Sequence, residues 1–168
     1  MKILKTVLLS LTLFFAFGSI KAQDAAITTS VNKVINAYLG VKNALIVSNN
    51  ENTKSKAKEL LDMIGAVPVA QLTAEQKTIW AAYTDKLQFD SRHISESAAI
   101  DHQREHFASL SKNMFELVKG LKMNAITLYE QYCPMKKATW LSETAAIKNP
   151  YFGNQMLTCG KTTETLNK

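Results

Sequence analysis

Residues 73–121 read TAEQKTIWAAYTDKLQFDSRHISESAAIDHQREHFASLSKNMFELVKGL, and the spacing of apolar residues in that stretch decides the fold. Thr73-Ala74-Glu75-Gln76 is a capping box: the Thr73 hydroxyl serves the N–H of the third helical position, and Gln76 reaches back to the Thr73 N–H. Ile79, Trp80, Tyr83, Leu87 and Ile94 then recur at helical spacing, which gathers them on one face. Ser95 and Ser97 favour caps over helix interiors, so a break is expected between Ile94 and Asp101. A further stripe, Phe107, Leu110, Met114, Leu117 and Leu121, carries the next helix to about Lys119, with Gly120 expected to end it.

Upstream, Ile27, Val31, Val34, Ile35, Tyr38, Val41 and Leu45 form one apolar stripe along a helix of about five turns, with Thr28, Thr29 and Ser30 as N-cap options. Ser48-Asn49-Asn50 makes a turn. Ala57, Leu60, Leu61 and Ile64 mark a shorter helix that stops at Gly65 and Pro68. Short connections make neighbouring helices antiparallel, so the expected fold is mainly α, an antiparallel four-helix bundle. From about Met123 the period changes. Ile126, Leu128, Glu130 and Tyr132 share one side of an extended segment, and the threonine-rich residues 156–166 could pair with it. The expected C-terminal cap is irregular, and two-stranded if those segments pair.

Residues 1–22 have the form of a secretory signal peptide: Lys2 and Lys5 precede an apolar core from Val7 to Phe17 and a small-residue exit at Ser19 to Ala22. Cleavage after Ala22 leaves residues 23–168 as a single domain, periplasmic or secreted, with no membrane span of its own. Lys2, Lys5 and Lys21 carry half of the net charge of +6. The remaining lysines are scattered without interleaved aromatics, which argues against nucleic-acid binding.

Both cysteines lie in residues 132–160, within Tyr132-Cys133-Pro134-Met135 and Met156-Leu157-Thr158-Cys159-Gly160. Two thiols and two thioethers are soft ligands suited to Cu(I) or Ag(I), with zinc a weaker fit. In an oxidising compartment the same cysteines close a disulfide just as naturally, and buried inert thiols are the third reading. His102 and His106 are four apart, so their side chains sit about 40° from each other on one helix face. They can clamp an ion or stand as a solvated residue beside a hydrogen-bonded one. Asp101 and Glu105 could orient them. The string His-Gln-Arg-Glu-His is not the zinc-protease motif, since Gln103 occupies the place of the catalytic Glu. His93, projected along one continuous helix, points away from the pair and is left out of the site. Trp140, Tyr151 and Phe152 read as cement between cap and helices. No glycine-rich phosphate loop, haem attachment or nucleophile with a base is visible, and no enzymatic activity is expected.

The segments Ile100-Asp101-His102-Gln103-Arg104-Glu105-His106-Phe107-Ala108-Ser109-Leu110-Ser111, Tyr132-Cys133-Pro134-Met135, Trp140-Leu141-Ser142 and Asn149-Pro150-Tyr151-Phe152-Gly153 leading to Met156-Leu157-Thr158-Cys159-Gly160 resemble the exported bacterial domain of unknown function 3347. The resemblance covers most of the chain after residue 22, with its specific motifs at the C-terminal end and only pattern in the earlier helices. Members of that family occur alone or attached to periplasmic adaptor subunits of copper and silver efflux systems. Tyr-Cys-Pro-Met is also similar to a small heavy-metal-binding module carrying Cys-Pro-Met-His, with Lys136 here in place of the histidine. The resemblance makes metal binding the leading expectation. The chain would sequester or hand over a copper ion, or else silver or zinc, by ligand exchange, using Cys133, Met135, Met156 and Cys159 with His106 and then His102. The competing expectation is a disulfide-closed module that docks onto an efflux adaptor and holds no metal.

Overall fold

The computed structural model describes residues 25–168; the signal peptide expected over 1–22 lies outside the described residues. The chain is mainly helical, with a small antiparallel sheet at its C-terminal end. Helix α1 covers residues 25–46, followed by α2 (Asn50–Gly65), α3 (Ala74–Glu96) and α4 (Ile100–Leu121). The strands are β1 (Leu128–Cys133), β2 (Ala138–Ser142) and β3 (Lys161–Leu166).

Local chemistry explains most of the boundaries. Asn49 caps α2 by accepting the Asn52 N–H, and Thr73 and Gln76 form the expected capping box on α3. The expected break falls at residues 97–99: the Ser97 N–H is the last donor into α3, to His93 O, and Ala99 is the N-cap of α4. Two boundaries differ from expectation. Thr28, Thr29 and Ser30 are not N-caps, because the helix is already formed at residue 25; the Thr29 and Ser30 hydroxyls donate back to the Ala25 and Ala26 carbonyls inside it. Gly120 does not end α4; the helix runs on to Leu121 and turns at Lys122, whose φ of 53° is left-handed. Gly120 instead serves packing, since a Cβ there would lie 2.9 Å from Ile79 Cγ2 on α3.

The sheet has three strands in the order β2-β1-β3, not the two expected. β1 and β3 are the two segments proposed to pair, with Tyr132 opposite Lys161. β2 was not expected. It pairs with β1 through Cys133↔Ala138 to Tyr129↔Ser142. Its consecutive Trp140, Leu141 and Ser142 are all buried, so it lacks the alternation by which a half-buried strand announces itself.

One apolar core joins helices and sheet. Tyr38 of α1 stacks on Phe107 of α4 with ring centroids 5.4 Å apart. Phe107 meets Tyr151 at 5.8 Å, and Tyr151 meets Trp140 of β2 edge-on at 5.9 Å. The buried Tyr38 hydroxyl shares a 2.8 Å hydrogen bond with Ser111 and accepts the Leu141 N–H at 3.0 Å. That last bond satisfies an N–H on the outer edge of β2, which would otherwise be stranded in the core. The C-terminal segment is held elsewhere by Arg104, which donates to Pro150 O and to Ser48 Oγ, and by Gly153. At Gly153 φ is +54° and a Cβ would strike Ser48 Oγ at 2.6 Å, so no other residue fits without displacing the α1–α2 turn.

Candidate metal centre

α3 and α4 form an antiparallel hairpin about the three-residue connection 97–99. Gln103 fixes that connection: its buried carboxamide donates to Ser97 O at 2.7 Å and to Asn50 O at 3.1 Å. The residue in the position of a protease glutamate is thus a structural donor. Folding the hairpin about Ala98 sets residues equidistant from it against each other. Asp90 and His106 are each eight positions away, and His93 falls within reach of both His102 and His106.

The three imidazoles converge. One ring nitrogen from each of His93, His102 and His106 lies within 4.8 Å of the other two. His93 and His106 stack at 4.5 Å, while His102 meets His106 edge-on at 4.7 Å. Four-coordinate zinc with bonds of 2.0–2.1 Å separates its nitrogens by about 3.4 Å, so to hold one ion the trio would have to draw together and the stacked His93 and His106 rings turn out of parallel. The site opens to solvent on the His102 side, and the exposed Phe89 ring, 4.3 Å from His93, forms a wall.

Behind the trio, His106 Nδ1 lies 2.9 Å from Oδ1 of Asp90, a carboxylate that is 3% exposed. An ionised carboxylate only accepts hydrogen bonds, so Nδ1 carries the proton and Nε2 is free to ligate. Such a carboxylate–histidine pair is the usual support of a metal-bound imidazole. Glu105 stands 3.6 Å from His102 Nδ1 on the exposed side of the cluster, too far for a hydrogen bond.

Of the six residues singled out from the sequence, His102 and His106 come together, and His93, which had been set aside, joins them. The projection failed because 100° per residue holds only within one helix, and the chain reverses at 97–99. Asp90 had not been singled out at all. The signal that could have found both residues was the break itself, combined with counting positions on either side of it.

Cys133 and Cys159 also come together, with their sulfur atoms 3.8 Å apart and unbonded. Among the described residues, no cysteine joins the histidine cluster. Met135 is 64% exposed and Met156 41% exposed, in the turns flanking the two thiols. Cys133 closes the end of β1 and is fully buried. Burial pushes its thiol up, but hydrogen bonds from the Lys136 N–H, the Asn149 side chain, Cys159 and the Met135 N–H outweigh it and hold the pKa below the ordinary thiol value. Cys159 is partly exposed; the burial it does have and its neighbour Cys133 push its thiol up.

No curated protein and no solved structure matches this chain. A family model does match, over residues 34–125, a span that begins within α1, includes all three histidines and Asp90, and stops short of Cys133. The chain therefore belongs to the family described as "Protein of unknown function (DUF3347)".

Proposed function

We propose that this is an exported metal-binding protein that holds a copper-type ion on His93, His102 and His106 and passes it on by ligand exchange. The observation that carries the reading is the convergence of three imidazoles with a buried carboxylate behind one of them. Imidazole donors suit Cu(II) and Zn(II) better than Cu(I) or Ag(I), and the divalent series peaks at Cu(II). The preferred ion is accordingly Cu(II), with Zn(II) its competitor. The four helices act as an antiparallel bundle whose third and fourth members supply the ligands. Three protein ligands leave a coordination position open, which is what a carrier needs in order to exchange with a partner such as an efflux adaptor. Export is supported by the apolar leader at residues 1–22. The role is binding, not catalysis.

Titration of the purified protein with Cu(II) and Zn(II) against a competing chelator tests this reading. His93→Ala, His102→Ala and His106→Ala should each weaken binding by more than the roughly 10–100-fold typical of losing an outer partner. Affinity unchanged in the His93→Ala/His106→Ala double variant would sink the proposal.

A further inference from the structure

Outside the histidine site the chain's two cysteines form a second chemical pair, at the open end of the sheet. We propose that Cys133 and Cys159 are a reversible thiol–disulfide exchange pair, in which Cys159 meets an external disulfide and Cys133 resolves the mixed disulfide.

Sheet register brings the pair together without a bond. β1 ends at Cys133, β3 begins at Lys161, and Tyr132 pairs with Lys161, so residue 159 arrives beside residue 133. The sulfur atoms are 3.8 Å apart, so closing to a disulfide length of about 2.0 Å asks them to approach by about 1.8 Å. The two sulfurs are unequal in access. Cys133 is fully buried, whereas Cys159 is partly exposed, so an outside disulfide reaches Cys159 first.

They are also unequal in setting. After Cys133 the chain turns back, with the Lys137 N–H on Cys133 O at 2.8 Å and the Lys136 N–H on Cys133 Sγ at 3.4 Å. Backbone N–H groups aimed at a sulfur favour its thiolate. That makes Cys133 the ready attacking group when the bond forms. When the bond is reduced, the same donors make Cys133 the better leaving group, which keeps the disulfide reducible. Asn149 holds the other side in position, donating to Cys159 O at 2.7 Å.

The exchange balances. The Cys159 thiolate attacks an external disulfide, forms a mixed disulfide and expels one external thiolate. The Cys133 thiolate then attacks Cys159 Sγ, closes the Cys133–Cys159 bond and expels the second. The dithiol gives up two electrons to the external disulfide, and the two thiol protons end on the two released thiols.

Reduced protein exposed to oxidised glutathione, acid-quenched at intervals and mapped by mass spectrometry, provides the test. A transient glutathione adduct on Cys159 should give way to the internal disulfide, and reduced glutathione should reopen it. In Cys133→Ser the adduct should persist on Cys159; in Cys159→Ser the buried Cys133 should be labelled at least about tenfold more slowly. Three results overturn the proposal: equal labelling of Cys133, no internal disulfide under excess oxidant, or a disulfide that reduced glutathione leaves intact. If either variant fails to fold, the order of adducts in the wild-type time course decides alone.

Discussion

Asp90 is the residue on which the candidate centre turns. A carboxylate 3% exposed has given up most of its hydration, and the His106 Nδ1–H is the hydrogen-bond donor it faces at 2.9 Å. Such burial is sustained only by a partner that keeps its proton in place, and the same proton fixes which nitrogen of His106 would face a bound ion. Asp90→Asn preserves size and an acceptor oxygen but removes the charge that makes the imidazole a stronger donor. The expected result is a loss of about 10–100-fold in Cu(II) and Zn(II) affinity with the helical circular dichroism unchanged. Chelator competition on both proteins measures it, and an unaltered affinity would assign Asp90 to the fold alone. At this scale the sequence was partly legible. The i, i+4 spacing of His102 and His106 is local and could be read directly. His93 and Asp90 reach the site only across a chain reversal, whose position Ser95 and Ser97 indicated within a few residues.

The elements differ in how openly they declare themselves. α1 to α4 each carry apolar residues at helical spacing over several turns, and the start of α3 carries both halves of its capping box. β2 carries five residues, the last three all buried, and is defined by its partner β1 and by Tyr38 of α1, which accepts the Leu141 N–H. Those partners lie about a hundred positions apart for Tyr38 and Leu141, beyond what local spacing can report. Gly120 shows the same limit from the other side. Its type suggests a stop, but its place opposite Ile79 makes it a spacer between α3 and α4. A methyl group at 2.9 Å from Ile79 Cγ2 must push the helices apart or force the isoleucine out of its rotamer. Gly120→Ala should therefore cost about 1–3 kcal/mol despite the better helix propensity of alanine. Adding Ile79→Ala should recover part of that loss by removing the clashing methyl, although it also removes packed surface. Urea unfolding of the three proteins checks this, and a Gly120→Ala chain more stable than wild type would show that the α3–α4 contact gives way freely.

Across the whole molecule, helices and sheet share one apolar core, from Ile27 and Tyr38 of α1 through Phe107 of α4 to Leu128 and Trp140 of the strands. A core of that kind unfolds as a unit, so an ion bound on the α3–α4 hairpin should stabilise strands that touch no ligand. An ion that binds only the folded chain stabilises it by RT ln(1 + [L]/Kd), about 4 kcal/mol at a thousandfold excess over Kd. For a chain of this size that corresponds to a rise in Tm of roughly 10 °C. The rise should vanish on adding a strong chelator and be absent in His93→Ala. It should persist in Cys133→Ser, because the thiols share no cluster with the histidines. Hydrogen exchange at the β1 amides, Leu128–Cys133, should slow along with exchange in α3 and α4. Protection confined to the hairpin would mean that the sheet opens independently. A Tm rise of the same size in His93→Ala would place the stabilising ion elsewhere on the molecule.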